Sequence, residues 1–260
     1  MALPDSLFGK KKLQRVFQRL YHFALKGMNY GRASDYAHNG EAWLSGTLRQ
    51  MITSPTAILF DVGANQGVFS KNLIRTWQGL NYRLYAFEPS LKTFSMLKNQ
   101  VADLPYVHLV NLGLGDREGS VELYSDKEGS GLASVYPRDL SHHHIDFTSR
   151  ETITLTTLDQ FCLREKIDHI DFLKLDVEGH ELAALKGGAR MIGEGRVQII
   201  QFEFGGCNID SRTFFRDYFN FFREQYTLYR ILSDGLEPLS AYSEKLEVFQ
   251  SANYLAVKKP

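Results

Sequence analysis

The sequence predicts an α/β fold: a Rossmann-like, mostly parallel sheet of seven strands, with a helical N-terminal extension and a small inserted strand pair. Three observations predict it. From residue 57 short β-branched and apolar runs alternate with helical patterns, the signature of a parallel sheet with crossover helices. A glycine-containing loop follows the first run and opens a helix, and acids recur at the run ends as Asp61, Glu88, Asp176 and Glu203.

Taken in order, Leu7, Leu13, Val16, Phe17, Leu20, Tyr21 and Leu25 recur at helical spacing, with Lys10, Lys11, Lys12, Arg15 and Arg19 on other faces. Gly27 ends this amphipathic helix. The plain expectation is a packed helix with a solvated basic face; peripheral contact with a membrane or an acidic acceptor is the alternative. A second helix, 41–51, ends before Ser54-Pro55 because proline disfavours helix at the preceding residue. Strands follow at 57–62, 83–88, 107–112, 171–177, 198–204, 227–232 and 253–257, with helices at 68–77, 91–101, 158–164, 181–185 and 212–225. The inserted pair, 120–124 and 152–156, flanks a polar loop with Gly129, Gly131 and His142-His143-His144. Three successive side chains cannot all face one ion, so this loop reads as acceptor-side rather than as a metal site. Phe215, Phe219, Phe222 and Tyr226 form a helical stripe that reads as core, with sugar stacking as the lesser alternative.

Composition narrows the class. The chain has 260 residues, is 43% hydrophobic and balances 30 Lys and Arg against 30 Asp and Glu, which fits one globular core and gives no global attraction to nucleic acid. No run is long and apolar enough for a transmembrane helix, and residues 1–30 lack a secretion-type apolar segment, so a cytoplasmic location is expected. Cys162 and Cys207 show no Cys-x-x-Cys spacing and read as reduced structural thiols.

The first loop, Asp61-Val62-Gly63-Ala64-Asn65-Gln66-Gly67, sits where doubly wound sheets bind nucleotide-like ligands. Gly63 and Gly67 allow a sharp turn and close approach, and the helix start offers N–H groups to a carboxylate. From Gly63 the chain reads Gly-Ala-Asn-Gln-Gly-Val, which is neither the dinucleotide fingerprint nor a P-loop. Asp61 would repel a pyrophosphate but suits the ammonium and sulfonium of S-adenosylmethionine (SAM). Glu88, followed by Pro89, lies about 20 residues beyond the loop, where an acid holds both ribose hydroxyls. Gly113-Leu114-Gly115-Asp116 reads as a turn lining the adenine edge.

The fourth main strand runs into Asp176, Glu178 and His180, a dense group of ionisable side chains at one pocket. His180 is the first candidate for the base that takes a proton from an acceptor hydroxyl, with Asp176, Glu178 and Glu203 as further catalytic candidates. Asp176 is also assigned to the SAM amino group. Asp176 with Glu203 offers oxygen ligands for a magnesium-type ion, a reading subordinate to a metal-free site.

With Asp61-x-Gly63-x-Asn65-x-Gly67, Phe87-Glu88-Pro89 and Leu173-Lys174-Leu175-Asp176-Val177-Glu178-Gly179-His180-Glu181 in place, the chain resembles the FkbM family of SAM-dependent methyltransferases over about residues 57–205. The resemblance implies a class I methyltransferase sheet over 55–260, with 1–54 as the helical cap, and O-methylation of hydroxyls on sugars, polyketides or other natural products. The stretch from Gln201 to Arg212 looks like a branch associated with surface glycan assembly, which implies a saccharide or other small-molecule acceptor. Two rival classes remain at this level: a nicotinamide-dependent oxidoreductase on a related sheet, and a non-catalytic SAM-binding module.

Overall fold

The computed structural model describes residues 7–32, 35–36, 38–101 and 104–260. Helices α1 (Gln14–Gly27) and α2 (Glu41–Met51) precede β1 (Ala57–Val62), α3 (Val68–Thr76), β2 (Tyr82–Phe87), α4 (Leu91–Gln100) and β3 (Val107–Val110). Then come β4 (Gly113–Leu114), β5 (Gly119–Ser125), β6 (Ser149–Thr156), α5 (Leu158–Glu165) and β7 (Ile170–Leu175). The chain continues with α6 (Glu181–Lys186), α7 (Ala189–Gly193), β8 (Val197–Phe204), α8 (Cys207–Asp210), α9 (Phe215–Phe222), β9 (Tyr226–Ile231), β10 (Leu236–Pro238) and β11 (Ala252–Lys258).

The main sheet has the order β10-β9-β11-β8-β7-β1-β2-β3. Its core strands are parallel; β11 runs antiparallel to both β8 and β9. The sequence anticipated seven strands, and β10 adds a short antiparallel edge as an eighth. The inserted pair is likewise larger than expected. Gly113 and Leu114 pair parallel with Leu155 and Thr156, making a separate sheet of order β4-β6-β5. Strand order reverses between β1 and β7, so a crevice opens at their carboxyl ends.

Because strand side chains alternate between faces, β1 feeds two cores. Ile58, Phe60 and Val62 pack with Phe87, Phe161 and Leu173 on one side. Leu59 packs with Phe69, Leu73 and Phe172 on the other, where Leu44 and Leu48 of α2 complete the layer. The Phe215, Phe222 and Tyr226 stripe is buried in the first of these cores, with Phe219 packed against it. The packed α1 expected from periodicity is not observed. Leu25 alone of its residues is buried, and Val16, Leu20, Tyr21 and Phe23 face outward. Periodicity marks an apolar face but does not create a surface to cover it.

Gly63 shows why the first loop has its sequence. Its φ is +81°, and a Cβ there would lie 1.8 Å from the Asp176 carbonyl oxygen, so β1 and β7 meet over a bare α-carbon. At Gly67, φ +82°, a Cβ would strike Leu97 and Val101 at 2.7 Å, which makes it a packing glycine. Gly46, inside α2, meets nothing within 4 Å. Gly63→Ala should therefore lower unfolding free energy by about 3 kcal/mol, while Gly46→Ala raises it by about 0.5–1 kcal/mol. Urea unfolding of the two variants checks this, and equal effects would refute the close-approach account.

Candidate active site

At the carboxyl ends of β1, β2, β7 and β8 lies a cavity of about 1130 Å³. Its walls bring together most of the residues singled out from sequence: Gly63, Asn65, Glu88, Pro89, Gly113, Leu114, Asp176, Glu178, His180 and Glu203. Asp61, Gly67, Gly115 and Asp116 do not line it. Asp61 is fully buried beneath the floor, Gly115 packs behind His180, and Asp116 is exposed outside.

The floor is organised by Lys174, a residue sequence reasoning passed over. It is 4% exposed, lies in the buried strand β7, and its ammonium is 2.8 Å from Asp176, 3.8 Å from Glu41 and 4.0 Å from Asp61. Burial opposes its charge, yet the three carboxylates hold its pKa above that of ordinary lysine. The ammonium also sits over the Phe69 ring. Asp61 accepts a 2.6 Å hydrogen bond from the Ser70 hydroxyl, while Glu41 accepts from Asn39 and Gln201 at 2.9 Å each. Asp176 alone of this set reaches the cavity.

Glu88 is fixed by backbone donors: Asn65 N–H and Ser90 N–H each donate to it at 3.0 Å. Burial nevertheless pushes it up to about 7. Asn65 itself adopts a left-handed φ of 47°, and its buried side-chain oxygen has no partner within the protein. Glu178, also left-handed at φ 50°, accepts from Arg138 at 2.6 Å. Burial, then the neighbouring Asp176, push Glu178 up to about 8. Arg138 lies 3.6 Å from Asp210 as well, so two carboxylates neutralise this buried cation. Among the described residues, Arg138 is the sole Lys or Arg on the cavity wall.

Glu203 is driven well above the usual carboxylate range by burial and by Asp176 and Glu178, with the Ser251 hydroxyl as the group that counters this. Glu181 closes the loop beneath by accepting from Val177 N–H at 3.0 Å and Gly179 N–H at 3.2 Å, and burial pushes it up to about 7. The His180 Nδ1 shares a 3.0 Å hydrogen bond with the Tyr136 hydroxyl. Its Nε2 is buried without a partner, against Gly115. Its side chain makes no helix-capping bond to α6, and burial lowers its pKa, so the ring is neutral at pH 7.

A further part of the cavity wall is made by Arg138, Asp139, His142, His143 and Phe249 with Gln250. The histidine loop thus faces the pocket, as its sequence position suggested. Among the described residues no group of three or more His, Cys, Asp or Glu side chains is arranged to hold a metal ion. Cys162 and Cys207 are buried free thiols.

A doubly wound sheet with an acid-lined crevice at its reversal point belongs to the class of α/β proteins that seat a nucleoside-bearing cofactor there. The family follows from the sequence match: residues 61–229 fit the Methyltransferase FkbM domain model, and the chain belongs to that family. It is 21% identical over 155 residues to the 2-O-methyltransferase NoeI of Sinorhizobium fredii, covering 56% of this chain and 63% of that protein. It is also similar to the crystal structure of methyltransferase FkbM from Methylobacillus flagellatus, with 18% identity, a TM-score of 0.48, and coverage of 81% of this chain and 47% of that one. The O-methyltransferase from Bacillus cereus in complex with SAH (S-adenosylhomocysteine) shows 13% identity, a TM-score of 0.45, and coverage of 98% and 94%. The chain thus spans less than two thirds of the first two proteins.

The raised carboxyls set a pH dependence of stability. Glu88, Glu178 and Glu181 titrate near 4.5 when unconstrained and at about 7, 8 and 7 in the fold, so the native state holds more protons and loses stability as pH rises through that range. His180, with a lowered pKa, acts in the opposite sense below about pH 6.5. The clean window is therefore about pH 6.5 to 8. The urea midpoint should fall across it, and Glu178→Gln should flatten the slope. A midpoint that is constant or rises would refute this electrostatic description.

Proposed function

We propose that the protein is a SAM-dependent O-methyltransferase and that its acceptor is a hydroxyl of a sugar, a glycan or a glycosylated natural product. The observation that carries this reading is the cavity wall: an excess of carboxylates, one internally neutralised arginine, and glycine at the crossing of β1 and β7. Such a wall fits a cationic nucleoside and disfavours a diphosphate. The partnerless Asn65 oxygen and the backbone-held Glu88 are polar groups already in place for a ligand. Glu88 would hold the ribose hydroxyls, Asp176 the amino group, and Gly113 with Leu114 the adenine edge. When bound, SAM supplies an electrophilic methyl group.

The rest is done by the chain's own side chains, which must align an acceptor hydroxyl and remove its proton. Both nitrogens of His180 are engaged by Tyr136 or closed off against Gly115, which weighs against its serving as the base. Asp176 is bound to Lys174 and Glu178 to Arg138. Glu203 has no such cation beside it and stands on the cavity wall. We assign the base to Glu203 and a positioning role to His180. The polar wall of Arg138, Asp139, Gln250 and Ser251 with the Phe249 ring suits a saccharide, and transfer to oxygen is in keeping with the name of the 2-O-methyltransferase relative.

Incubation with labelled SAM and a panel of oligosaccharides and nucleotide sugars tests the reaction, and calorimetry with SAM and NAD tests the ligand. SAM binding with label transfer is expected; tight NAD binding without SAM binding would remove the reading. In the active system Glu203→Gln should lose about 10²–10⁴-fold in turnover while keeping SAH affinity, and His180→Ala should stay within about tenfold. The reverse order would return the base to His180.

A further inference from the structure

Helix α1 takes no part in the site, yet its composition is far from neutral. Between Asp5 and Asp35 the chain has seven Lys and Arg and no Asp or Glu, within a total balanced at 30 and 30. At about 100° per residue, Arg15, Arg19, His22 and Lys26 share one side of α1, and Leu13, Val16, Leu20, Phe23 and Ala24 share the adjoining one. That apolar side is open: Leu20 is 55% and Phe23 78% exposed, and no described residue covers them. An exposed apolar stripe flanked by unbalanced cations calls for a partner that is both apolar and anionic.

We propose that α1, with the Lys10-Lys11-Lys12 turn before it, docks the protein on an anionic lipid surface. The apolar side enters the boundary between headgroups and acyl chains, and the cations reach the lipid phosphates. A second copy of the chain is the poorer partner, because it would set one cationic helix against another. The helix is tied to the body where it ends. The Asn29 amide donates to the Ile231 carbonyl at 3.1 Å, the Arg230 guanidinium donates to the Tyr30 hydroxyl at 2.8 Å, and Gly31 N–H donates to the Ser251 carbonyl at 2.8 Å. Gly31 and Ser251 line the cavity, so docking would hold the acceptor mouth at the membrane. That last consequence rests on the methyl-transfer reading; the docking itself does not.

The test is sedimentation of the full chain with vesicles of phosphatidylcholine, with and without phosphatidylglycerol. Binding should be at least about tenfold tighter to the anionic vesicles and weaken with salt. The double variants Leu20→Ser with Phe23→Ser, and Arg15→Glu with Arg19→Glu, should each weaken it at least about tenfold. All four positions are exposed, and an unchanged melting temperature and SAH affinity would show that fold and cofactor site are intact. No binding to anionic vesicles, or binding that neither double variant changes, overturns the proposal. So does light scattering that shows a dimer lost in both variants while vesicles are ignored, which would make a second copy the partner.

Discussion

A single buried ammonium, that of Lys174, constrains the centre of this molecule. An isolated charge taken out of water costs several kcal/mol, so it persists only where opposite charge surrounds it. Here Asp61, Asp176 and Glu41 do so, from β1, the end of β7 and α2. Removing one partner of such a buried set costs about 3–5 kcal/mol, so Glu41 ties the N-terminal helix α2 to the sheet in addition to its Leu44 and Leu48 packing. The same network decides which acids are available to a ligand. Asp61 is consumed within it, while Asp176 is held at the cavity wall by its bond to Lys174.

Around the cavity the acids have fewer cations to answer them. Glu88, Glu178, Glu181 and Glu203 are all raised by burial, and Asp176 adds to the strain on three of them. Such a cluster of buried acids is costly in the protein alone, and under the proposed function an arriving cation would offset that cost. The left-handed Asn65 and Glu178 lie in the same wall, so backbone strain is concentrated there as well.

Much of this was legible in the sequence, for identifiable reasons. Largely apolar runs at 57–62 and 170–175, interrupted by Asp61, Asp171 and Lys174, read as buried parallel strands, and residues just past such strands meet at the crevice. That is why Glu88, Asp176, Glu178 and Glu203 were found together. Position in the chain did not reveal direction. Asp61 lies two residues beyond Leu59 and so points into the α2 side of the sheet, a consequence of the period of two that strand-end reasoning overlooked. Asp116 follows the turn but faces water. Arg138 and Tyr136 sit in a loop with no periodicity, and their partners Glu178 and His180 are about 40 residues away, so only tertiary structure joins them. Lys174 carried a signal it shared with Asp171, a charge inside a buried strand. The amphipathic pattern of α1 led to the expectation of a packed helix, whereas Val16, Leu20 and Tyr21 face outward, because a pattern of spacing does not supply the surface that would cover it.

The central claim is that this lysine-centred floor and its ring of acids form a cradle for a cationic nucleoside. A crystal structure with SAH and an acceptor tests it most directly. The account predicts the ribose on Glu88, the amino group on Asp176, and the acceptor oxygen between the sulfur and Glu203. Ligand density elsewhere on the surface, or in the crevice with Glu88 and Asp176 untouched, would contradict it.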